Sequence, residues 1–207
     1  MMLIKAILLT VFAYLVGSIS TGVVLSKVFG KGNLQKEGSQ NIGATNVSRL
    51  MGIKWGVLTL LGDMLKGMLV VWIGRMAFGG ENAPTFFLVC LMALAVFLGH
   101  LFPVFLSFKG GKGVATALGI FILLGPKAIL AALLIFILVV YLGKYISLGS
   151  IVAAGLFPVL LILFNYDRYA VLLSIIIVVA IILKHKENIH RLIKGEEKTW
   201  RGKARRM

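Results

Sequence analysis

Residues 85–108 read TFFLVCLMALAVFLGHLFPVFLSF, with no Asp, Glu, Lys or Arg in the run. A helix needs ~20 apolar residues to cross ~30 Å of hydrocarbon, so this stretch is long enough to span a bilayer. Working outward, similar stretches end at charges, Gly or Pro. They place spans at 3–25, 55–78, 84–107, 113–125, 127–143, 148–164 and 168–184. The composition agrees: 59% of the 207 residues are hydrophobic and 14% are charged, against about 25% charged in a soluble domain. A soluble globule is excluded, and the unbroken apolar runs argue against a membrane β-barrel. The expected architecture is an all-α bundle of about seven transmembrane helices in one domain, 1–207, with a basic tail at 198–207. The run at 113–125 is short for a crossing and reads either as a half-helix or as fused to the next span. Gly125-Pro126 is a turn in which Pro opens the following helix.

The chain carries 22 Lys and Arg against 7 Asp and Glu. With no soluble domain to read a groove, this excess points to membrane orientation, anionic lipid or anionic substrates rather than nucleic acid. Seventeen cations fall on one side of the predicted bundle: Lys27, Lys31, Lys36, Arg49, Lys54, Lys109, Lys112, Lys144 and nine between 184 and 206. Four fall on the other: Lys5, Arg75, Lys127 and Arg168. The Lys/Arg bias puts the N-terminus outside and the C-terminus in the cytoplasm. The first run has no small-residue cleavage pattern and reads as an uncleaved span. The single Cys90 allows no intrachain disulfide and no Cys-based metal site. No cofactor or metal is expected.

Three polar segments then share the cytoplasmic face. The first, Gly38-Ser39-Gln40-Asn41-Ile42-Gly43-Ala44-Thr45-Asn46-Val47-Ser48-Arg49, is dense in small residues, amides and hydroxyls. It reads equally well as a solvated loop or as backbone amides folded around an anion beside Arg49. The second, Phe108-Lys109-Gly110-Gly111-Lys112-Gly113-Val114-Ala115-Thr116, follows Gly99-His100 and Phe102-Pro103. Free amides at a helix start, three glycines and two ammonium groups suit a phosphate. It is not a Walker A loop, because Gly113 follows Lys112 where that loop needs Ser or Thr. The third, around His185, Asn188, Arg191, Gly195 and Glu196, puts His185 and Asn188 on one helix face. It also reads as an interfacial amphipathic helix, with His190 as its solvated histidine. Inside the second span, Asp63 and Lys66 stand three apart and form a local ion pair rather than a proton relay.

Together these segments resemble the bacterial acyl-phosphate:glycerol-3-phosphate acyltransferase family over nearly the whole chain, with Gly17-Ser18-Ile19 as a further match. The resemblance implies a seven-helix enzyme of the bacterial cytoplasmic (inner) membrane with its active site facing the cytoplasm. It implies transfer of a fatty acyl group from acyl-phosphate to the 1-hydroxyl of sn-glycerol 3-phosphate, giving lysophosphatidic acid and phosphate for phospholipid synthesis. Neither acyl-CoA nor acyl carrier protein is the donor. The implied catalytic residues are Ser39, Arg49, His100, Lys112, His185 and Asn188. The implied substrate-binding set is Asn41, Gly43, Thr45, Asn46, Lys109, Gly110, Gly111, Gly113 and Thr116, and Glu196 maps to structural integrity. The chain departs from the family pattern in three places. Ser20 stands for a usual Pro, Gln40 for a usual Gly, and Gln35 for an Arg that would add a cation.

Direct transfer, with Ser39 as a hydrogen-bond donor, fits better than an acyl-enzyme, since no Ser-His-Asp set is visible. The proton acceptor is left open between His185, His100 and a substrate phosphate oxygen; neither imidazole has an acidic partner by sequence. The competing function is a transporter or channel for a phosphorylated metabolite, which also needs basic loops and a broken helix.

Overall fold

The apolar runs fold as helices, and the polar segments decide where those helices stop. A computed structural model describes residues 1–30, 32–79 and 83–200. Lys31 and the tail cations Arg201, Lys203, Arg205 and Arg206 lie outside the described residues. The described helices are α1 (Met2–Ser18), α2 (Thr21–Val28), α3 (Ala44–Met51), α4 (Ile53–Phe78), α5 (Ala83–Leu101), α6 (Val114–Leu124), α7 (Pro126–Gly143), α8 (Ile146–Leu163), α9 (Arg168–Lys184) and α10 (Lys186–Ile193). They group into two compact units, Met1–Leu124 and Gly125 onward.

Four stretches are long and apolar enough to cross a membrane: Ile53–Phe78, Pro84–Leu106, Pro126–Gly143 and Ile146–Leu163. Two further candidates are bent pairs, α1 with α2 at 47° and α9 with α10 at 56°. The run expected as one continuous span over 3–25 is therefore broken. Its α1 stops at Ser18, Ile19 and Ser20 are extended, and Ser20 caps α2 by accepting from Val23 N. The short run at 113–125 forms a separate 11-residue helix, α6, and Pro126 opens α7 as expected.

In the first unit, glycines set how closely helices approach. A Cβ on Gly17 of α1 would overlap the Val96 backbone of α5, and one on Gly99 of α5 would overlap Tyr14 O of α1. Between α4 and α6, Gly67 faces Thr116 and Ile120, and Gly119 faces the Met64 backbone. Without a hydrophobic drive between helices in lipid, such backbone-to-backbone packing is what holds them together. At the far end of α6, Arg75 donates to Leu123 O at 2.9 Å. Thus α6 runs beside residues 64–75 of α4, and its start lies roughly 15–20 Å from the Ile53 end of α4 at 1.5 Å per residue.

The break between α1 and α2 is closed at that same level. Lys66 donates to Gly17 O at 3.0 Å and Ile19 O at 2.9 Å, two carbonyls left over at the end of α1. Asp63 Oδ1 accepts from Thr21 N at 3.4 Å and Thr21 Oγ1 at 3.2 Å, in the first turn of α2. Asp63 and Lys66 pair at 2.9 Å, as their spacing predicts. A cation at a helix C-terminus and an anion at a helix N-terminus are each the favourable choice for the macrodipole.

The second unit packs α7 on α8 and α8 on α9. Gly155 of α8 has nothing within 4 Å of where a Cβ would sit. This contrast gives a packing test by thermal unfolding in detergent. Gly17→Ala and Gly99→Ala each destabilise by ~1–3 kcal/mol through overpacking, whereas Gly155→Ala lowers no melting temperature, because Ala is the better helix former.

Candidate active site

The first polar segment is built around one amide. Asn46 is buried, at 1% exposure. Its Oδ1 accepts from Ser39 N at 2.9 Å, and its Nδ2 donates to Asn41 O at 2.9 Å, Glu37 O at 3.2 Å and Leu34 O at 3.3 Å. Asn46 therefore holds residues 34–41 against α3. Asn41 closes a further turn by accepting from Gly43 N at 2.8 Å. Under the loop, Leu34, Ile42 and Val47 form an apolar cluster with Trp55, Met51 and Leu106. The segment read as one loop is half helix: Gly43 caps α3, and Thr45 and Arg49 stand one turn apart on it. Ser39, Asn41, Thr45 and Arg49 are half-buried. Gln40 has φ of 55°, a conformation that favours glycine.

The second segment wraps onto the end of α5. Gly111 N donates to His100 O at 3.1 Å. A Cβ on Gly110 would overlap that same carbonyl, and one on Gly111 would overlap His100 Nε2. Only glycine allows this loop to lie on the histidine. Gly113, at φ of 83°, turns the chain into α6. Thr116, in the first turn of α6, is fully buried, and its hydroxyl has no hydrogen-bond partner among the described residues. Lys109 is exposed and Lys112 half-buried. Gln35 Nε2 donates to Lys109 O at 3.0 Å. The residue that lacks the expected cation thus ties the first segment to the second.

Behind the loop lies the group that sequence reasoning did not assemble. His100 Nδ1 sits 3.0 Å from Lys66 Nζ and 3.8 Å from Asp63 Oδ1. All three side chains are buried. The acidic neighbour that His100 lacked by sequence comes from α4. Asp63 and Lys66 were legible as a pair, but their meeting with α5 was not.

The third segment lies in the second unit. His185 Nδ1 is 2.8 Å from Ile181 O; a carbonyl only accepts, so Nδ1 carries a proton. Asn188 Nδ2 donates to Glu197 Oε1 at 2.7 Å, Ser147 Oγ to the same oxygen at 2.8 Å, and Arg191 Nε to Oε2 at 2.7 Å. Burial pushes the Glu197 carboxyl up, but Arg191, Asn188 and Ser147 more than offset it and hold it below the usual carboxylate range. Glu196, for which the resemblance implies a structural role, is exposed, and its neighbour Glu197 is buried. His190 is exposed, as its position predicts. Among the described residues, no three His, Cys, Asp or Glu side chains come together to hold a metal ion.

Comparison with known proteins places this arrangement. The glycerol-3-phosphate acyltransferase family matches residues 7–195. The chain belongs to that family. A glycerol-3-phosphate acyltransferase of Trichlorobacter lovleyi is 48% identical over 185 residues, 89% of this chain and 92% of the relative. One from Aquifex aeolicus is 41% identical over 193 residues, covering 93% and 98%. The crystal structure of PlsY, an integral membrane glycerol 3-phosphate acyltransferase in its glycerol 3-phosphate form, matches with a TM-score of 0.88 and 40% identity. The match covers 94% of this chain and 95% of that one. The all-helical fold with four to six apolar candidate spans is thus that of an integral membrane acyltransferase family.

Glu197 provides the test of the third segment. Glu197→Gln removes an acceptor shared by three donors and costs about 1.5–3 kcal/mol, the range for hydrogen bonds to a charged group. Glu196→Gln leaves the melting temperature unchanged. Because the folded carboxyl titrates below its unfolded value, its stabilisation is present above the usual carboxylate range and is lost as pH falls through the lowered value. As pH falls below the usual carboxylate range, the wild type therefore progressively loses its stability advantage over Glu197→Gln.

Proposed function

We propose that this chain transfers a fatty acyl group from acyl-phosphate to the 1-hydroxyl of sn-glycerol 3-phosphate, releasing inorganic phosphate and lysophosphatidic acid. Family membership fixes the reaction class and the acceptor. The acyl-phosphate donor is the further step. The observation that carries it is the Gly110–Gly113 loop, laid on His100, opening α6 and joined by Gln35 to the first segment. Both proposed substrates bear phosphate, and the loop combines helix-start amides with Lys109, Lys112 and a buried threonine hydroxyl, a set suited to that group.

In the reaction, the acceptor oxygen bonds to the acyl carbonyl carbon and the carbon–oxygen bond to phosphate breaks. Acyl-phosphate is already an activated mixed anhydride, so no ATP is consumed and no cofactor is needed. Charge grows on the leaving phosphate. Arg49, Lys109, Lys112 and the loop amides stabilise it in place, the kind of preorganised electrostatics that contributes most to such reactions. Ser39, positioned by Asn46, serves as a donor rather than a nucleophile. Asn41, Gly43 and Thr45 shape the same segment. The hydroxyl proton ends on phosphate, directly or through an imidazole. His185, with Nδ1–H directed to Ile181 O, has the tautomer whose Nε2 offers a lone pair. Asn188 steadies the third segment through Glu197.

The proposal includes a topology. Four continuous spans and two bent pairs give up to six crossings, and in this proposal the short α6 is counted as the seventh. The Lys/Arg bias puts the N-terminus outside and the active site and C-terminus at the cytoplasmic face of a bacterial inner membrane. The family match runs through both compact units, which supports one acyltransferase domain.

Purified protein in lipid, given acyl-phosphate with and without sn-glycerol 3-phosphate, tests the reaction. Acceptor-dependent phosphate release with lysophosphatidic acid identified by mass is expected. Lys112→Ala lowers kcat/KM about 100-fold, equivalent to the ~3 kcal/mol of a charged hydrogen bond. Folded protein that makes no product, but carries labelled glycerol phosphate into sealed vesicles, would establish transport instead.

A further inference from the structure

We propose that Lys66 is a positioning residue for the acyl transfer: it fixes the tautomer of His100 so that the ring presents Nε2–H beside the glycine loop as a donor to substrate phosphate. This rests on the reaction proposed above. The first observation is chemical. An ammonium has three hydrogens and no lone pair. Lys66 Nζ is ringed by Gly17 O, Ile19 O, Asp63 Oδ1 and His100 Nδ1, all within 3.0 Å. The three hydrogens are shared among these four acceptors; with no lone pair on Nζ, Nδ1 can only accept toward Lys66, and in a neutral imidazole the one proton then lies on Nε2. Putting it on Nδ1 would require Nζ to move away from the two α1 carbonyls that hold it.

The second observation is where Nε2 points. It is the atom that a Cβ on Gly111 would strike first, and Gly111 N donates to the carbonyl of the same histidine. Ring and loop backbone are therefore in register. The titratable groups around the ring are Asp63 and Lys66 on α4, Lys109 and Lys112 on the loop, and Tyr14 on α1, whose hydroxyl goes to Phe102 O. Asp63 does not displace Lys66, since its Oδ1 already accepts from Lys66 and Thr21. The ligand class is a phosphate monoester or the phosphate leaving the acyl group. His100 then acts as a fixed donor and not as the proton acceptor.

The chain supplies its own reference. His185 has the opposite tautomer, Nδ1–H to Ile181 O, and His190 is exposed. Long-range nitrogen–proton NMR on the full chain with 15N-histidine, in lipid nanodiscs near pH 8, reads all three rings. The expected spectrum has His100 as Nε2–H and His185 as Nδ1–H, with the His100 Nε2–H signal moving when sn-glycerol 3-phosphate is added. Lys66→Met releases His100 into a mixture of tautomers and raises KM for glycerol 3-phosphate tenfold or more. Simple loss of folded protein would lower kcat and leave KM alone. His100→Gln keeps an acceptor and an N–H but cannot exchange protons as imidazole does, so it raises KM for glycerol 3-phosphate about tenfold and keeps kcat and the wild-type pH profile. A catalytic base would instead lose the 10²–10⁴-fold typical of general base catalysis. The proposal is overturned by Nδ1–H at His100 in the wild type, by an unchanged His100 tautomer in Lys66→Met, or by loss of more than 100-fold in His100→Gln. The expected wild-type spectrum in a protein that makes no product counts against the reaction and not against the tautomer.

Discussion

Breaking a helix inside a membrane leaves backbone groups that lipid cannot satisfy. Each costs several kcal/mol if it stays unpaired. The first span of this chain breaks between Ser18 and Thr21, and a single pair on α4 closes both sides of the break. Lys66 takes the carbonyls of α1, and Asp63 takes the first turn of α2. A buried pair of this kind costs desolvation and returns little net stability on its own. Here each charge also satisfies backbone that has no water to turn to. That second service explains why an Asp and a Lys stand in an otherwise apolar helix.

The same level of α4 also receives the second segment. Residues 64–75 carry α6, so the glycine loop opening α6 is set beside Lys66. The end of α5 brings His100 to the ammonium, and Gly110 and Gly111 lie directly on His100. Gln35 then reaches Lys109 O and fastens the first segment to the second. Three separate interruptions of helix, at Ile19, at Leu101 and at Gly113, are thus held at one place by neighbours rather than by their own propensities. Irregular backbone at membrane depth survives only when protein or a water-lined cavity surrounds it, and this clustering meets that condition with one set of side chains.

The spans were legible because apolar length is a strong signal. Residues 84–107, 127–143, 148–164 and 168–184 needed no tertiary knowledge, and Gly125-Pro126 marked its own turn. The break at Ile19 was not legible. Nothing in VGSIST stops a helix as Pro would, and the stop depends on Lys66, forty-seven positions away. The Asp63–Lys66 pair could be read from its spacing, but its link to His100 depends on how α4 packs on α5. Which of the two adjacent acids in the last segment is buried was not legible for the same reason. Glu196 and Glu197 are chemically equivalent in sequence, and only the positions of Ser147, Asn188 and Arg191 decide between them. That Asn46 builds the loop, through four backbone partners, was not legible either.

The few acids reveal how the site keeps its charge. Glu37 accepts from Asn33 N, Asp63 from the start of α2, and Asp167 from Tyr169 N at the start of α9. Glu197 is occupied by Ser147, Asn188 and Arg191. Each of these four carboxylates anchors backbone or a polar segment, and three of them sit where a helix or turn begins. None lies in the loop that carries Lys109 and Lys112, which stays cationic. In the proposed reaction two phosphate-bearing reactants are brought together and repel one another, and a carboxylate beside them would add to that repulsion. A transferase that joins such reactants gains more from fixed cations and oriented amides than from a carboxylate facing the substrates. For the proposed reaction the absence of a carboxylate from the glycine loop fits the substrates: phosphate would already bring the negative charge, and Arg49, Lys109, Lys112 and the amides that open α6 are placed to answer it.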